Sequence, residues 1–233
     1  LLQPQDRRSR RPGDEAEVAR SRRRLAELGH DDALRRALIG GATRFGSAGG
    51  AWLDVGCGEG SLLAAIADAI PIVGSGIDLS APSIALAARL APGGQWVVAN
   101  ADRGLPWVDR SFDVVLSVVA RLPVEELARV LVPDGHLAVV VAGDRDLAEL
   151  KEIVLGEVRP SGRLDAAVER LAPRFEVVSR DQVEQHLDLD RPGLEDLMRA
   201  SYLGGRRGRH ERLGAIESLG VTISRDIVWC RPR

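Results

Sequence analysis

The sequence predicts an α/β fold: a doubly wound, mostly parallel sheet of seven strands behind an N-terminal helical preface. Three observations predict it. Short apolar runs alternate with alanine- and leucine-rich helical segments from Ala51 to Leu155, and such alternation gives parallel strands joined by right-handed crossovers. The run Phe112–Val119 is apolar at consecutive positions, as a strand covered on both faces must be. A glycine turn, Gly56-Cys57-Gly58-Glu59-Gly60, follows the first apolar strand and precedes a helical pattern. Its glycines permit left-handed backbone and leave N–H groups bare at a helix N-terminus.

The elements follow in order. Residues 1–13 are polar and Arg-rich and read as an extended arm. Asp14 can cap a helix to about Leu28, stopped by Gly29. Asp31 or Asp32 caps a second helix, which Gly40 and Gly41 should end. The strands expected next are Ala51–Val55, Ile72–Ile77, Gln95–Ala99, Phe112–Val119 and His136–Val141. Between them lie helices at Ser61–Ala69, Ala81–Leu90, where Pro82 suits the first turn, and Val124–Leu131, followed by a turn at Pro133-Asp134-Gly135. A helix over Asp144–Leu155 leads to an irregular polar stretch. Glu176–Ser179 is expected as a sixth strand, Arg191–Ala200 as a helix and Val221–Cys230 as the last strand. The expected division is an arm and preface over 1–45 and a cofactor-binding domain over 46–233, with 144–215 supplying substrate-side elements.

The 233 residues suffice for one such domain and an appendage. A net charge of -2 announces no nucleic-acid partner in bulk. Arginines nevertheless cluster, at Arg7, Arg8, Arg10 and Arg11, at Arg20 and Arg22–Arg24, and at Arg206, Arg207, Arg209 and Arg212. Each cluster reads equally as a solvated face or a phosphate site. Lys151 is the only lysine. Cys57 and Cys230 are far apart, so neither a zinc site nor a disulfide framework is readable. No run is long enough to span a membrane and no signal peptide is visible, which makes the cytoplasm the expected location. The chain starts at Leu1 rather than Met, which predicts further sequence upstream.

The motifs narrow the ligand. Asp78 ends the second strand 22 residues after Gly56, where a carboxylate can accept from ribose hydroxyls. A dinucleotide fingerprint needs Gly at position 61, and Ser61 stands there. The spacing D-x-G-x-G-x-G, with Asp54, Gly56, Gly58 and Gly60, resembles that of class I S-adenosylmethionine (SAM) methyltransferases. The resemblance implies SAM as cofactor, S-adenosylhomocysteine as product, and Asp54 at the methionine end. Cys57 reads as small filler in the turn. The ligand should lie at the carboxyl ends of the strands, beside Leu79, Asn100, Ala101 and Ser117. Asn100 or Asp102 can accept from the adenine amino group. No residue stands out as a catalytic base; Asp102 and Glu125 are the candidates.

A closer resemblance rests on several ordered segments. They are Arg8-Ser9-Arg10 with Pro12-Gly13-Asp14, then Leu28-Gly29-His30, Leu53–Gly60, Gly76–Ser80, Leu105-Pro106, Glu125–Leu131 and Glu149-Leu150-Lys151. In this order they resemble RlmA-type 23S rRNA guanine-N1-methyltransferases, a family with macrolide-resistance members. That resemblance implies rRNA as partner, a homodimer, and substrate-side roles for Arg10, His30, Ala120, Arg121, Ser201 and Tyr202. Three places depart from the family pattern. Ala120-Arg121 replaces its Ala-Pro, Asp31 replaces a Tyr after Gly-His, and Met198–Tyr202 replaces a Met-x-Pro-like segment. The family's zinc ribbon would lie upstream of Leu1, and zinc would belong there rather than in this chain. Two other expectations stand beside the rRNA enzyme: a methyltransferase for a small natural product, and a SAM-binding regulator without catalysis.

Overall fold

The computed structural model describes residues 13–45, 47–156, 158, 162–201, 203, 213–214 and 216–233. The sheet has seven strands in the order β3-β2-β1-β4-β5-β7-β6. They are β1 (Gly50–Val55), β2 (Ile72–Asp78), β3 (Gln95–Val98), β4 (Phe112–Val118), β5 (Leu131–Ala142), β6 (Phe175–Asp190) and β7 (Ser218–Pro232). Strands β1 to β5 pair in parallel, and β7 runs antiparallel between β5 and β6. The helices are α1 (Ala16–Glu27), α2 (Asp32–Arg44), α3 (Ser61–Ala69), α4 (Ala81–Leu90), α5 (Val124–Val130), α6 (Ala148–Leu155), α7 (Arg163–Leu171) and α8 (Arg191–Ala200).

Neighbouring residues of the central strands feed opposite layers, because side chains alternate faces along a strand. Trp52, Val114, Leu116, Ala138, Val140, Ile227 and Trp229 point to one side, where Leu34, Leu38 and Ala42 of α2 and Leu63 and Ile66 of α3 cover them. Leu53, Val55, Val115, Leu137, Val139 and Val228 point to the other, against Leu127 of α5 and Ala167 and Leu171 of α7. A third cluster joins Leu25 of α1 to Leu150 and Val154 of α6, Leu194, Leu197 and Met198 of α8, and Val221 and Ile223 of β7. The far end of the β6–β7 hairpin thus carries α8, which holds α1 in place. Asp196 fixes that junction by accepting from Ser21 Oγ at 2.8 Å and from Arg24 Nη2 at 2.6 Å.

Several local expectations are corrected. Gly40 and Gly41 do not end α2, which runs on to Arg44. A Cβ on Gly41 would lie 2.5 Å from the Trp229 indole, so this glycine admits a large ring instead of breaking the helix. Asp14 does not cap α1, and Asp31 stands at the N-cap position of α2 without a side-chain capping bond; Asp14 pairs with Arg22 and Asp31 with His30. The sixth strand is far longer than Glu176–Ser179, because β7 pairs with it from Phe175 to Asp190. Part of the expected irregular stretch is α7. Helix α6 begins at Ala148, after Leu147 turns the chain at φ 55°. Pro133-Asp134-Gly135 lies within β5, where the β4–β5 register shifts.

Candidate functional site

The glycine turn lies at the carboxyl end of β1, next to the switch point between β1 and β4 where the sheet order reverses. Gly56, Gly58 and Gly60 have φ of 83°, 55° and 79°, a region open to glycine at no steric cost. A Cβ on Gly58 would meet only Arg22 Nη1, at 3.7 Å, so the space above it is open to a ligand. Asp78 Oδ2 accepts from Gly58 N–H at 3.0 Å, and Oδ1 accepts from Ser80 N–H at 2.7 Å. The second-strand carboxylate therefore shapes the turn.

Asp54 is buried, and its Oδ1 has no hydrogen-bond partner in the structure. Burial pushes its carboxyl up to about 7, and the nearby Asp78 and Glu59 charges push the same way. An orphaned acceptor in an apolar setting is costly unless a ligand donor meets it. A cation with N–H groups, such as the ammonium of an amino acid, fits. Cys57 is buried and its thiol is pushed well above the usual range by burial, as expected of filler rather than a nucleophile.

A cavity of about 360 Å³ opens from this turn. Asp54, Gly56, Cys57, Gly58 and Glu59 form one wall and Val118 and Val119 the floor. Facing them are Arg22, His30 and Asp31 from the N-terminal helices, Asp146, Leu147 and Lys151 around the start of α6, and Arg163, Ser201 and Arg225. Asp146 pairs with Arg225, and both are buried. Lys151 donates to the Asp146 carbonyl. Burial lowers its ammonium most; Asp146 opposes this, and Arg163 and Arg225 reinforce it. The N-terminal segment also reaches the loop after β2, where Ser80 Oγ donates to the Asp14 carbonyl at 2.7 Å.

The remaining expected residues scatter. Leu79 is partly exposed after β2. Asn100 Oδ1 accepts from Asp102 N–H and so caps the 3-10 turn that Ala101 begins. The Ser117 hydroxyl is spent on the Arg121 carbonyl at 3.1 Å. A Cβ on Gly56 would sit 2.6 Å from that of Ala120, which closes the floor there. The Arg121 side chain is 81% exposed and lies 3.8 Å from Asp102, away from the cavity lining. Glu125 lies at the surface, paired with Arg174 at 2.6 Å. Ser201 reaches the cavity, but its hydroxyl donates to Leu197 O at 2.6 Å. Arg10 and Tyr202 lie outside the described residues, as do the arginines from 206 to 212. Sequence reading missed Arg22, Glu59, Asp146, Arg163 and Arg225 as cavity residues, whereas Asp31, marked there as a departure from the family pattern, does line the cavity.

A family described as a methyltransferase domain matches residues 53–135, from β1 into the bent start of β5. The 23S rRNA (guanine(748)-N(1))-methyltransferase of Streptomyces fradiae is 31% identical over 230 residues, 94% of this chain and 81% of its own. The chain belongs to the 23S rRNA (guanine-N1)-methyltransferase family. YxjB of Bacillus subtilis, named a "putative 23S rRNA (guanine-N(1)-)-methyltransferase", is 31% identical over 91% of this chain and 79% of its own. Among solved structures, the [4+2]-cyclase SpnF superposes with a TM-score of 0.59 at 19% identity, over 96% of this chain and 98% of its own. That likeness shows the fold alone, and a cyclase on this scaffold illustrates that fold does not fix reaction.

The chain is a SAM-dependent methyltransferase. When bound, SAM supplies a methyl carbon already activated by its sulfonium. The protein's work is therefore mainly alignment of donor and acceptor. The open space over Gly58 and the orphaned Asp54 Oδ1 fit the amino-acid end of that cofactor. Among the described residues, no three His, Cys, Asp or Glu side chains gather as a metal site, and no helix is long and apolar enough to cross a membrane.

Proposed function

We propose that this enzyme methylates N1 of a guanine in 23S rRNA. The observation that carries the reading is the extent of the relationship to the S. fradiae enzyme. It covers 94% of this chain and so takes in the acceptor-side elements α1, α2, α6 and α8 as well as the cofactor half. The cavity agrees with such an acceptor. Beyond the glycine turn it continues to a wall bearing Arg22, Lys151, Arg163 and Arg225; Arg22 and Arg225 are tied to Asp14 and Asp146, which leaves Lys151 and Arg163 as the cations suited to a nucleotide with its phosphate.

In this reading Asp78 accepts from the cofactor ribose and Asp54 from its ammonium. Leu79, Asn100 and Ala101 flank the adenine. Residues 46–233 form the methyltransferase domain, with 1–45 as arm and lid, and 144–215 contribute to the acceptor side. The arginines at 7–11 and 206–212 add phosphate contacts, and the working form is a homodimer.

The test is transfer of labelled methyl from SAM to a 23S rRNA transcript. Primer extension then locates the product, because a methyl on N1 blocks base pairing and stops the polymerase. A single strong stop at a guanine is expected, with affinity falling steeply as salt rises. Turnover of a small metabolite without transfer to rRNA would overturn the reading.

A further inference from the structure

Methylating N1 of guanine requires removal of the N1 proton, and none of Asp102, Glu125 and Ser117 presents a free group to the cavity. The α1–α2 turn does. His30 Nδ1 and Asp31 Oδ1 lie 2.9 Å apart, and both residues line the same cavity as Gly56, Gly58 and Val119. With Asp31 accepting from Nδ1–H, the ring keeps an acceptor lone pair on Nε2. Asp31 remains a carboxylate. Burial raises it, but the His30 hydrogen bond, with the nearby Arg225 and Arg22 charges, holds it below the usual range.

The turn that carries the pair is clamped from several sides. Gly29 takes φ 81°, and His30 N–H donates to Leu25 O at 3.0 Å. Gln185, from β6, donates to Gly29 O at 2.6 Å and accepts from Ala33 N–H at 2.9 Å. A base held in this way is positioned before the acceptor arrives. The other ionisable groups of the cavity are engaged elsewhere. Asp146 pairs with Arg225, Lys151 donates to the Asp146 carbonyl and Arg22 pairs with Asp14, while Asp54, whose Oδ1 has no partner within the protein, is the acceptor assigned above to the cofactor ammonium, with Glu59 near it in the turn. Arg163 also faces the cavity and has no acceptor lone pair.

We propose that His30 is the general base for the acceptor guanine, and that Asp31 is the positioning residue that fixes its ring. This rests on the rRNA reading above. The N1–H bond breaks as an Nε2–H bond forms. The N1 electron pair forms the new bond to the methyl carbon while the carbon–sulfur pair stays on sulfur. The imidazolium then releases its proton to solvent. The acid at position 31, 2.9 Å from Nδ1, gives this chain its orienting group.

The test is single-turnover methyl transfer to the rRNA transcript at saturating SAM, across pH, with SAM affinity measured separately by calorimetry. His30→Gln is expected to lower the plateau rate by about 10²–10⁴-fold while SAM affinity stays within about threefold. Asp31→Asn is expected to lower the plateau and to move the acidic limb of the rate profile, which a purely structural role would not do. A His30→Gln plateau within about threefold of wild type overturns the proposal. So does a loss of SAM affinity that accounts for the whole rate defect. Wild-type enzyme that transfers no methyl to rRNA overturns the rRNA reading, and this proposal with it. An active wild type with unaffected variants overturns this proposal alone.

Discussion

Asp78 Oδ2 accepts a hydrogen bond from the backbone N–H of Gly58 at 3.0 Å, bridging the end of β2 to the turn after β1. One carboxylate thus shapes the cradle, and in the function proposed above it also accepts from the cofactor ribose. Asp78→Ala should weaken SAM binding by about 10- to 100-fold, the scale of hydrogen bonds to a charged group. Calorimetry would measure it. Unchanged affinity would show that the ribose lies elsewhere.

Asp54 makes stability depend on pH. Its ordinary value is 3.8 and the folded value is about 7, so between these the folded chain binds more protons than the unfolded chain. Stability of the ligand-free protein therefore falls as pH rises through that window. Denaturant melts across pH should show this slope, and Asp54→Asn should flatten it. SAM affinity should run the other way, tightening as Asp54 ionises and meets the ammonium.

Val119 takes φ 50° with its side chain 58% exposed on the cavity floor. That conformation costs a β-branched residue about 1–3 kcal/mol. Val119→Gly should relieve the strain and raise stability by about 1 kcal/mol, after the entropic cost of glycine in the unfolded chain. If the strained side chain braces the acceptor, single-turnover transfer should fall at the same time. A variant that loses stability would show that the side chain contributes more by packing than the backbone loses to strain.

Gly41 faces the Trp229 indole with no room for a methyl group. Gly41→Ala gains helix propensity but overpacks the interface, and a net loss of about 1–3 kcal/mol is expected. A thermal or denaturant melt would register it, with SAM affinity unchanged.

The difference between what could and could not be read from the chain follows from range. The glycine turn, Asp78, β1 to β4 and helices α3 and α4 were legible because each is a local pattern of apolar period or turn chemistry. Gly41 was misread because its reason is an indole 188 positions later in the chain. Strand β6 was undercounted because its residues from Arg180 to Asp188 alternate between exposed and half-buried, with few apolar side chains to mark them. The cavity gathers Arg22, His30, Lys151, Arg163 and Arg225 from elements scattered along the chain, and no local motif could show that they converge. Asp31 was visible as a departure from the family pattern, but its bond to His30 was not.

Asp146 and Arg225 form a buried pair on the cavity wall. Arg225→Ala should cost about 3–5 kcal/mol because it leaves a carboxylate buried without its partner. Replacing both, as in Asp146→Leu with Arg225→Met, should recover most of that stability. Denaturant melts of the single and double variants would separate the two effects, and equal losses in both would show that the pair itself is stabilising.

The order of the sheet has a consequence for assembly. Strand β7 is the last of the seven, yet it lies inside the sheet, between β5 and β6. The glycine turn is tied to β2 through Asp78, and β1 to β5 pair with one another without any later strand. Strand β6 pairs only with β7, which also carries Arg225 to the cavity. The turn can therefore form without β7, whereas the cavity is closed only once β7 has inserted.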